Sequence, residues 1–349
     1  MFSALCFMLC NREFFSMESK LQPTAKTKAM KKSLPTLLLT DKAILQIIGA
    51  LWLLDAFLQI QPSMFSMNMV NGTLLPIIQN QPPLIAANLN WIVAVSSTHL
   101  SLLNWGITLV QAAIGVALLT GRWIRETVVI SAVWGLILWY AGEGLSGLLT
   151  GQSSALFGAP GSVLLYIIIT FVIVLQYKEP IDYTAANDRS VSLQQRVFMR
   201  RALGGFWIFA GLLQLQPYWW QYGQISNTIS TLYNPGTLQG ALVDPILHGL
   251  AAATLPVEGL LNALLVVFFI ALGVWILAAK SSSLHTALVV SLIGAIGLWW
   301  FFEAFGMVFS GMSTDPNTGP LIILMTLALW ESPKSFSLRA IQIAPQPQQ

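Results

Sequence analysis

The sequence predicts an all-α polytopic membrane bundle of about eight transmembrane helices, arranged as two parallel four-helix repeats. Three observations predict it: charge is scarce, apolar runs reach membrane-spanning length, and Lys and Arg occur only in alternate connections between those runs. Of 349 residues, 55% are hydrophobic and 9% are charged, and the mean hydropathy is +0.69. A soluble domain devotes about a quarter of its residues to charge because its surface faces water. A surface this poor in charge calls for lipid around it, so the bilayer is the first partner implied.

The apolar runs come next. Ala43 to Ile60 carries only Asp55, while Leu100 to Gly121 and Gly259 to Ala279 carry no charge. A hydrocarbon core of about 30 Å needs about 20 apolar residues in helical form, and helices satisfy their own backbone where lipid cannot. The spans at Gly161 to Leu175 and Pro320 to Trp330 read as short. The outer segments Gln61 to His99 and Pro217 to Val257 are apolar, rich in Asn, Gln and Pro, and read as dipping along the membrane surface.

Orientation follows from the 17 basic residues. They fall at Arg12 to Lys42, Arg122 and Arg125, Lys178 to Arg201, Lys280, and Lys334 with Arg339; the intervening connections contain none. Counting spans places every basic cluster on one side, which the positive-inside rule makes cytoplasmic. The expectation is a multi-pass protein of the plasma (inner) membrane with both termini in the cytoplasm. Trp91, Trp219, Trp220, Trp299 and Trp300 fall where an outer aromatic belt would lie, and Trp123 and Trp330 where an inner one would.

The predicted organisation is a disordered cytoplasmic segment at 1–42, a first membrane repeat at 43–177, a cytoplasmic linker at 178–201, a second repeat at 202–331 and a tail at 332–349. Cys6 and Cys10 are the only cysteines, so no disulfide framework or zinc spacing exists. Met1 to Cys10 is too short to cross and lacks a basic flank, which argues against a signal peptide.

The repeat is legible directly. Leu51-Trp-Leu-Leu-Asp-Ala-Phe-Leu-Gln-Ile-Gln-Pro62 matches Phe206-Trp-Ile-Phe-Ala-Gly-Leu-Leu-Gln-Leu-Gln-Pro217. Trp139-Tyr-Ala-Gly-Glu-Gly-Leu-Ser-Gly-Leu-Leu-Thr-Gly151 matches Trp299-Trp-Phe-Phe-Glu-Ala-Phe-Gly-Met-Val-Phe-Ser-Gly311. An even number of spans per repeat returns the chain in the same orientation, so the repeats are parallel rather than inverted.

Glu143 and Glu303 occupy matching positions at the outer ends of their spans, and Asp55 stands where the second repeat has Ala210. Carboxylates in membrane proteins are functional candidates, although a Glu facing water or capping a loop fits equally here. With no Lys or Arg on that side, a buried carboxylate there must be protonated, hydrogen-bonded or cation-bound. The glycines after Glu143 and the stretch Asp315-Pro-Asn-Thr-Gly319 read as turns. Gln59, Gln61, Gln214 and Gln216, each pair followed by Pro, read first as helix ends. His99, His248 and His285 are scattered, so neither a haem nor a metal site is expected, and no nucleotide or hydrolase motif occurs. The basic flanks read as topology rather than nucleic-acid contact.

Trp52-Leu-Leu-Asp-Ala-Phe-Leu-Gln59, Leu118-Leu-Thr-Gly-Arg122, Glu143-Gly-Leu-Ser-Gly147 and Thr314-Asp315 with Gly319 together resemble the DoxX-like superfamily. Within it, the chain is most similar to the DoxD-like membrane subunit of thiosulfate:quinone oxidoreductase, here as two fused four-helix units. The second unit departs from the pattern at Ala210 and Ala304. The resemblance implies a quinone-linked subunit passing electrons from an external sulfur compound to the quinone pool. It implies Asp55, Glu143 and Glu303 as proton-handling carboxylates and a quinone pocket lined by Trp139, Tyr140 and Gln59. Quinone would be a substrate; no cofactor site is expected in the chain, so an extracytoplasmic redox subunit is the implied partner. The readings from other classes are a non-enzymatic transporter, an assembly scaffold, and a structural repeat whose Glu residues cap loops.

Overall fold

The computed structural model describes residues 39–174 and 191–330. The expectations for the N-terminal segment up to residue 38, for 175–190 of the linker region and for the tail lie outside the described residues. Among the described residues, ten helices of ten residues or more run in order. They are α1 (Asp41–Leu58), α2 (Pro83–Thr98), α3 (Leu100–Thr120), α4 (Ile124–Ala141), α5 (Ser162–Val174), α6 (Leu193–Leu213), α7 (Leu238–Thr254), α8 (Glu258–Ala278), α9 (Ser281–Gly297) and α10 (Gly319–Ala328). No β-strand occurs among the described residues.

Four helices are long and apolar enough to cross a membrane: Leu100–Thr120, Ile124–Ala141, Leu238–Ala278 and Ser282–Phe302. The third combines α7 and α8 across a short 3-10 turn at Leu255–Val257 that contains Pro256. α1 has a similar length but includes Asp41, Lys42 and Asp55, and α6 includes Arg196, Arg200 and Arg201. α5 and α10 have 13 and 10 residues, as short as the sequence suggested. These helices fit a membrane-embedded protein, since large apolar side chains such as Leu102, Leu109 and Ile293 lie exposed on them.

Two features differ from the sequence expectation. The segments expected to dip along the surface contain full helices, α2 and α7. Pro83 starts the first with its missing N–H at the harmless first turn, and the Thr237 hydroxyl caps the second by accepting from Gly240 N–H at 3.1 Å. The stretch expected as linker ends earlier, because α6 begins at Leu193. There Ser192 and Gln195 form a capping box, each side chain accepting the other's backbone N–H, at 3.2 and 2.7 Å. Arg200, expected only as a basic flank, donates to the Ile276 and Leu277 carbonyls at 2.6 and 3.0 Å, satisfying the end of α8.

The closest helix pairs are α1 with α3 and α6 with α8. Each crossing is made possible by glycine. A Cβ at Gly115 would lie 2.8 Å from Gly49 O, and one at Gly204 would lie 3.0 Å from Gly273 O, so a side chain would force the backbones apart. α4 packs on α5 and α9 on α10, while α5, α6 and α10 touch one another. The main core, with Trp52, Tyr166, Trp207 and Phe269 its largest fully buried side chains, runs through all of these helices.

Long-range hydrogen bonds recur between the first and second parts of the chain. Asn104 Nδ2 donates to Gln59 O at 2.7 Å, and Asn262 Nδ2 to Gln214 O at 3.1 Å. Trp139 Nε1 donates to Pro160 O, and Trp299 Nε1 to Pro316 O, each at 2.8 Å. Gln81 Nε2 donates to Gly144 O at 2.7 Å, and Gln239 Nε2 to Ala304 O at 2.6 Å. The loops after Glu143 and Glu303 are also exchanged. Gln61 reaches Ser313 O at 3.4 Å, and Gln216 reaches Ser153 O at 3.1 Å, so each loop is anchored by the other part of the chain.

Candidate functional site

The site begins with the backbone after Glu143. Gly144, Leu145, Ser146 and Gly147 all have positive φ, between 50° and 66°. Ala304, Phe305, Gly306 and Met307 repeat this turn with φ between 46° and 67°. A left-handed residue other than Gly costs about 1–2 kcal/mol, and such strain persists only where the surroundings fix it, commonly at functional sites. The turn reverses the chain at once and leaves each Glu facing the N-terminus of the following short helix.

There Glu143 accepts from Ser146 Oγ at 2.9 Å and from Ser162 Oγ at 3.3 Å. Gly161, with φ at 107°, leaves the space its carboxylate occupies. Glu303 is buried, and accepts from the Thr318 hydroxyl and from Gly319 N–H, the latter at 3.0 Å. Both Glu residues follow their helices rather than lying within them. Loss of hydration is the main cause pushing each carboxyl up to about 8; Asp315 raises both further, and the hydroxyl and amide donors oppose the shift.

These values give a pH dependence with a definite sign. An unfolded Glu releases its proton near 4.5, whereas the folded one holds it to about 8. The native state therefore binds more protons between these values, so stability is highest below the lower one and is lost as pH rises towards about 8. The melting temperature of the purified chain is expected to fall between about pH 5 and pH 8, less steeply in Glu303→Gln; an unchanged profile in that variant would remove Glu303 as the source.

Two cavities meet at this end of the fold. The smaller, of ≈ 150 Å³, lies among α1–α4 and includes Trp52, Asp55, Gln59, Gln111, Trp134 and Glu143 in its wall. The larger, of ≈ 500 Å³, includes Glu143, Ser162, Glu303, Ser310 and Asn317, with exposed Gly72 and Thr231 at its edge. Thr73, Glu143, Thr314 and Asp315 line both, so they form the partition. No Lys, Arg or His lines either cavity.

The smaller cavity is largely apolar, but several residues that line it carry unpartnered polar atoms. Trp52 Nε1, Gln59 Oε1, Gln111 Oε1 and Trp134 Nε1 are buried without a hydrogen-bond partner, and all four residues line it. An unsatisfied buried polar group costs about 1–3 kcal/mol, and groups left unsatisfied in a native structure call for a ligand, water or ion. Asp55, 2% exposed, accepts from the Tyr166 hydroxyl at 3.5 Å, and Tyr166 stacks on Trp52 with ring centroids 5.0 Å apart.

The equivalent place in the second part is lined by more apolar residues, although Gln214 Oε1, like Gln59 Oε1, is buried without a partner. The matched motifs pair Asp55 with Ala210 and Trp134 with Gly294, and the recurring hydrogen bonds of Asn104 and Asn262 and of Pro160 and Pro316 set the register that pairs Gln111 with Phe269 and Tyr166 with Ile322. Ala210, Phe269 and Ile322 are buried core residues, and Phe269 lies 5.5 Å from Trp207 between ring centroids. Trp207 Nε1, unlike Trp52 Nε1, has a partner in Ser291 Oγ at 2.9 Å.

The structure thus brings Asp55, Glu143 and Gln59 together and leaves Glu303 on the larger cavity alone. Trp139 and Tyr140, expected in the pocket, line neither cavity. A helix turns about 100° per residue, and the face towards the cavity holds Trp134, Ile137, Leu138 and Ala141 instead. The Trp139 indole is committed to Pro160 O.

Sequence reasoning gives no signal for Gln111 or Trp134, and it takes Asp315 only as part of a turn and of the Thr314-Asp315 motif. Asp315 stands where the first part has Ala159 before its own proline. That departure parallels Asp55 against Ala210, and the two read together would have marked it. Glu258, by contrast, is a buried carboxylate with a structural task. It accepts from the Gly223 and Ser226 backbone N–H groups, the latter at 2.6 Å, at the start of the short helix Gln224–Ser230.

Among the described residues, no group of three or more His, Cys, Asp and Glu is placed to hold a metal ion. No protein-family model matches the chain, and neither a curated protein nor a solved structure matches it.

Proposed function

We propose that the chain is a DoxX-like integral membrane protein of eight spans in two parallel repeats, and that the smaller cavity receives a quinone head group. The recurring hydrogen bonds, the paired left-handed turns and the exchanged loops support the repeat. The confinement of Lys and Arg to alternate connections supports cytoplasmic termini and a plasma-membrane location.

One observation carries the quinone reading: four residues with unpartnered polar atoms, two indole N–H donors and two amide oxygens, line one small and otherwise largely apolar cavity. An aromatic ring bearing oxygens that accept as carbonyls and donate as hydroxyls satisfies such a set in both redox states. Reduction of a quinone to its quinol takes up an electron pair and a pair of protons. Asp55 and Glu143 stand in the cavity wall to exchange those protons.

The electrons have another source. An anionic sulfur compound would meet Glu143, Glu303 and Asp315 in the larger cavity with no cation to hold it. Its oxidation therefore belongs to an extracytoplasmic partner subunit, and this chain supplies the quinone end.

The full chain, purified from native membrane in mild detergent and extracted with organic solvent, is expected to yield quinone in near-stoichiometric amount by absorbance. Asp55→Asn should retain less. Quinone at only the level of bulk lipid carry-over, equal in both proteins, would favour the transporter or scaffold reading.

A further inference from the structure

We infer that Asp315, supplied by the second half, is the proton relay that connects the larger cavity to Glu143 and the smaller cavity. The inference rests on the site reading just given but concerns a different residue and step.

The geometry has three parts. First, Glu143 and Asp315 are the only carboxylates lining both cavities, so a proton moving between the two compartments meets this pair. Second, the larger cavity offers hydroxyls and amides throughout, among them Ser162, Thr231, Ser310 and Asn317, with exposed residues at its edge, and can hold water. The smaller cavity is largely apolar and shares Thr73, Glu143, Thr314 and Asp315 with the larger one. Third, Asp315 is held in place. Its Oδ1 accepts from Asn317 N–H at 2.8 Å and its Oδ2 from the Thr314 hydroxyl at 3.0 Å. Ser313 Oγ, itself donating to Asp315 O at 2.8 Å, fixes the backbone.

The titratable groups facing Asp315 are Asp55 from α1, Glu143 from the turn after α4, Tyr166 from α5 and Glu303 from the turn after α9. None of these groups is basic. In the relay step the O–H bond of a protonated Asp315 breaks and an O–H bond forms on the Glu143 carboxylate. Asp315 then recovers a proton from water in the larger cavity. The reverse sequence carries a proton outward when quinol is oxidised. Hydroxyls alone cannot replace this step as well, because a carboxyl can hold the proton between the two transfers.

The test uses the full chain in lipid nanodiscs and a rapid pH jump from about pH 6 to about pH 9, which brackets the Glu143 titration. The signal is the infrared carboxyl C=O band, assigned to Glu143 by its loss in Glu143→Gln. Asp315→Asn keeps the acceptor for Asn317 N–H but cannot carry a proton. It is expected to slow the Glu143 signal about a hundredfold, the lower end of what a positioned proton-transfer group contributes, with its final amplitude unchanged. Asp315→Glu should restore most of the rate, which a purely structural role would not predict. If Asp315→Asn does not fold, Asp315→Ser takes its place under the same expectation. An unchanged rate in the folded variant overturns the relay. Decylubiquinone titrated into the same samples, read by Trp fluorescence quenching, keeps the two readings apart. Absent binding to the unaltered chain sinks the quinone site, whereas normal binding with an unchanged proton rate sinks only Asp315.

Discussion

Gln111→Phe is expected to empty the smaller cavity of quinone while making the protein more stable. Phe269 shows that a Phe at the counterpart position packs against the partner Trp without strain in the fold. In the first half the same ring would enter the ≈ 150 Å³ space and displace an amide oxygen that has no partner. Removing such an orphan is worth about 1–3 kcal/mol, so the ligand-free protein should melt several degrees higher. Quinone binding should fall at least about tenfold, since the ring would occupy the ligand's place and one of its polar contacts would be gone. The two readouts move in opposite directions, which a general folding defect cannot imitate. Binding retained with raised stability would place the ligand elsewhere; both falling together would mean the cavity is a packing fault.

The second large effect concerns the paired glutamates. Glu143→Gln preserves shape and the ability to accept from Ser146 and Ser162, and removes only the transferable proton. Quinone-linked turnover in the assembled complex is expected to fall by about 10²–10⁴-fold, the usual worth of a positioned acid or base. Glu303→Gln should be milder. Its carboxyl lines only the larger cavity, and its hydrogen bonds to Thr318 and Gly319 tie down the start of α10. Comparable losses in both variants would mean that the site is duplicated rather than single. Full activity in Glu143→Gln across the pH range would return both residues to the role of loop caps.

How much of this was legible in the sequence follows from what each level of structure depends on. Apolar runs and the absence of charge are local, so the helices that can span, including α3, α4 and α8, could be read directly. The matched motifs also put Glu143 and Glu303 at equivalent turns, and the structure gives both the same left-handed backbone. α2 and α7 were harder to read: their Asn, Gln and Pro content resembles a loop, and only Pro83 at the first turn of α2 and the Thr237 cap of α7 mark their starts.

The pocket was the least legible part. Gln111 and Trp134 sit in spans that look uniformly apolar, and their importance lies in having no partner, which is a property of the whole fold. Trp139 and Tyr140 neighbour Glu143 in sequence, but helical geometry turns them away from the cavity. Asp315 lies 172 positions from Glu143 in the chain, and only the exchange of loops between the halves brings it to the partition.

That exchange has a consequence for how such a protein could arise. The smaller cavity is lined mainly by residues of the first half and closed by Thr314 and Asp315 of the second. Two separate, identical four-helix subunits docked in this way would form two pockets of identical composition. Asp55 could not be kept in one and lost from the other, nor could Asp315. Joining the subunits into one polypeptide lifts that constraint. Each half can then mutate alone, so one pocket can become solid core while its twin stays hollow. On this view Ala210, Phe269, Gly294, Ile322 and Ala159 are a coordinated retirement of the second pocket. Under the proposed repeat, the covalent join between the halves would let a two-fold assembly work with a single point of chemistry.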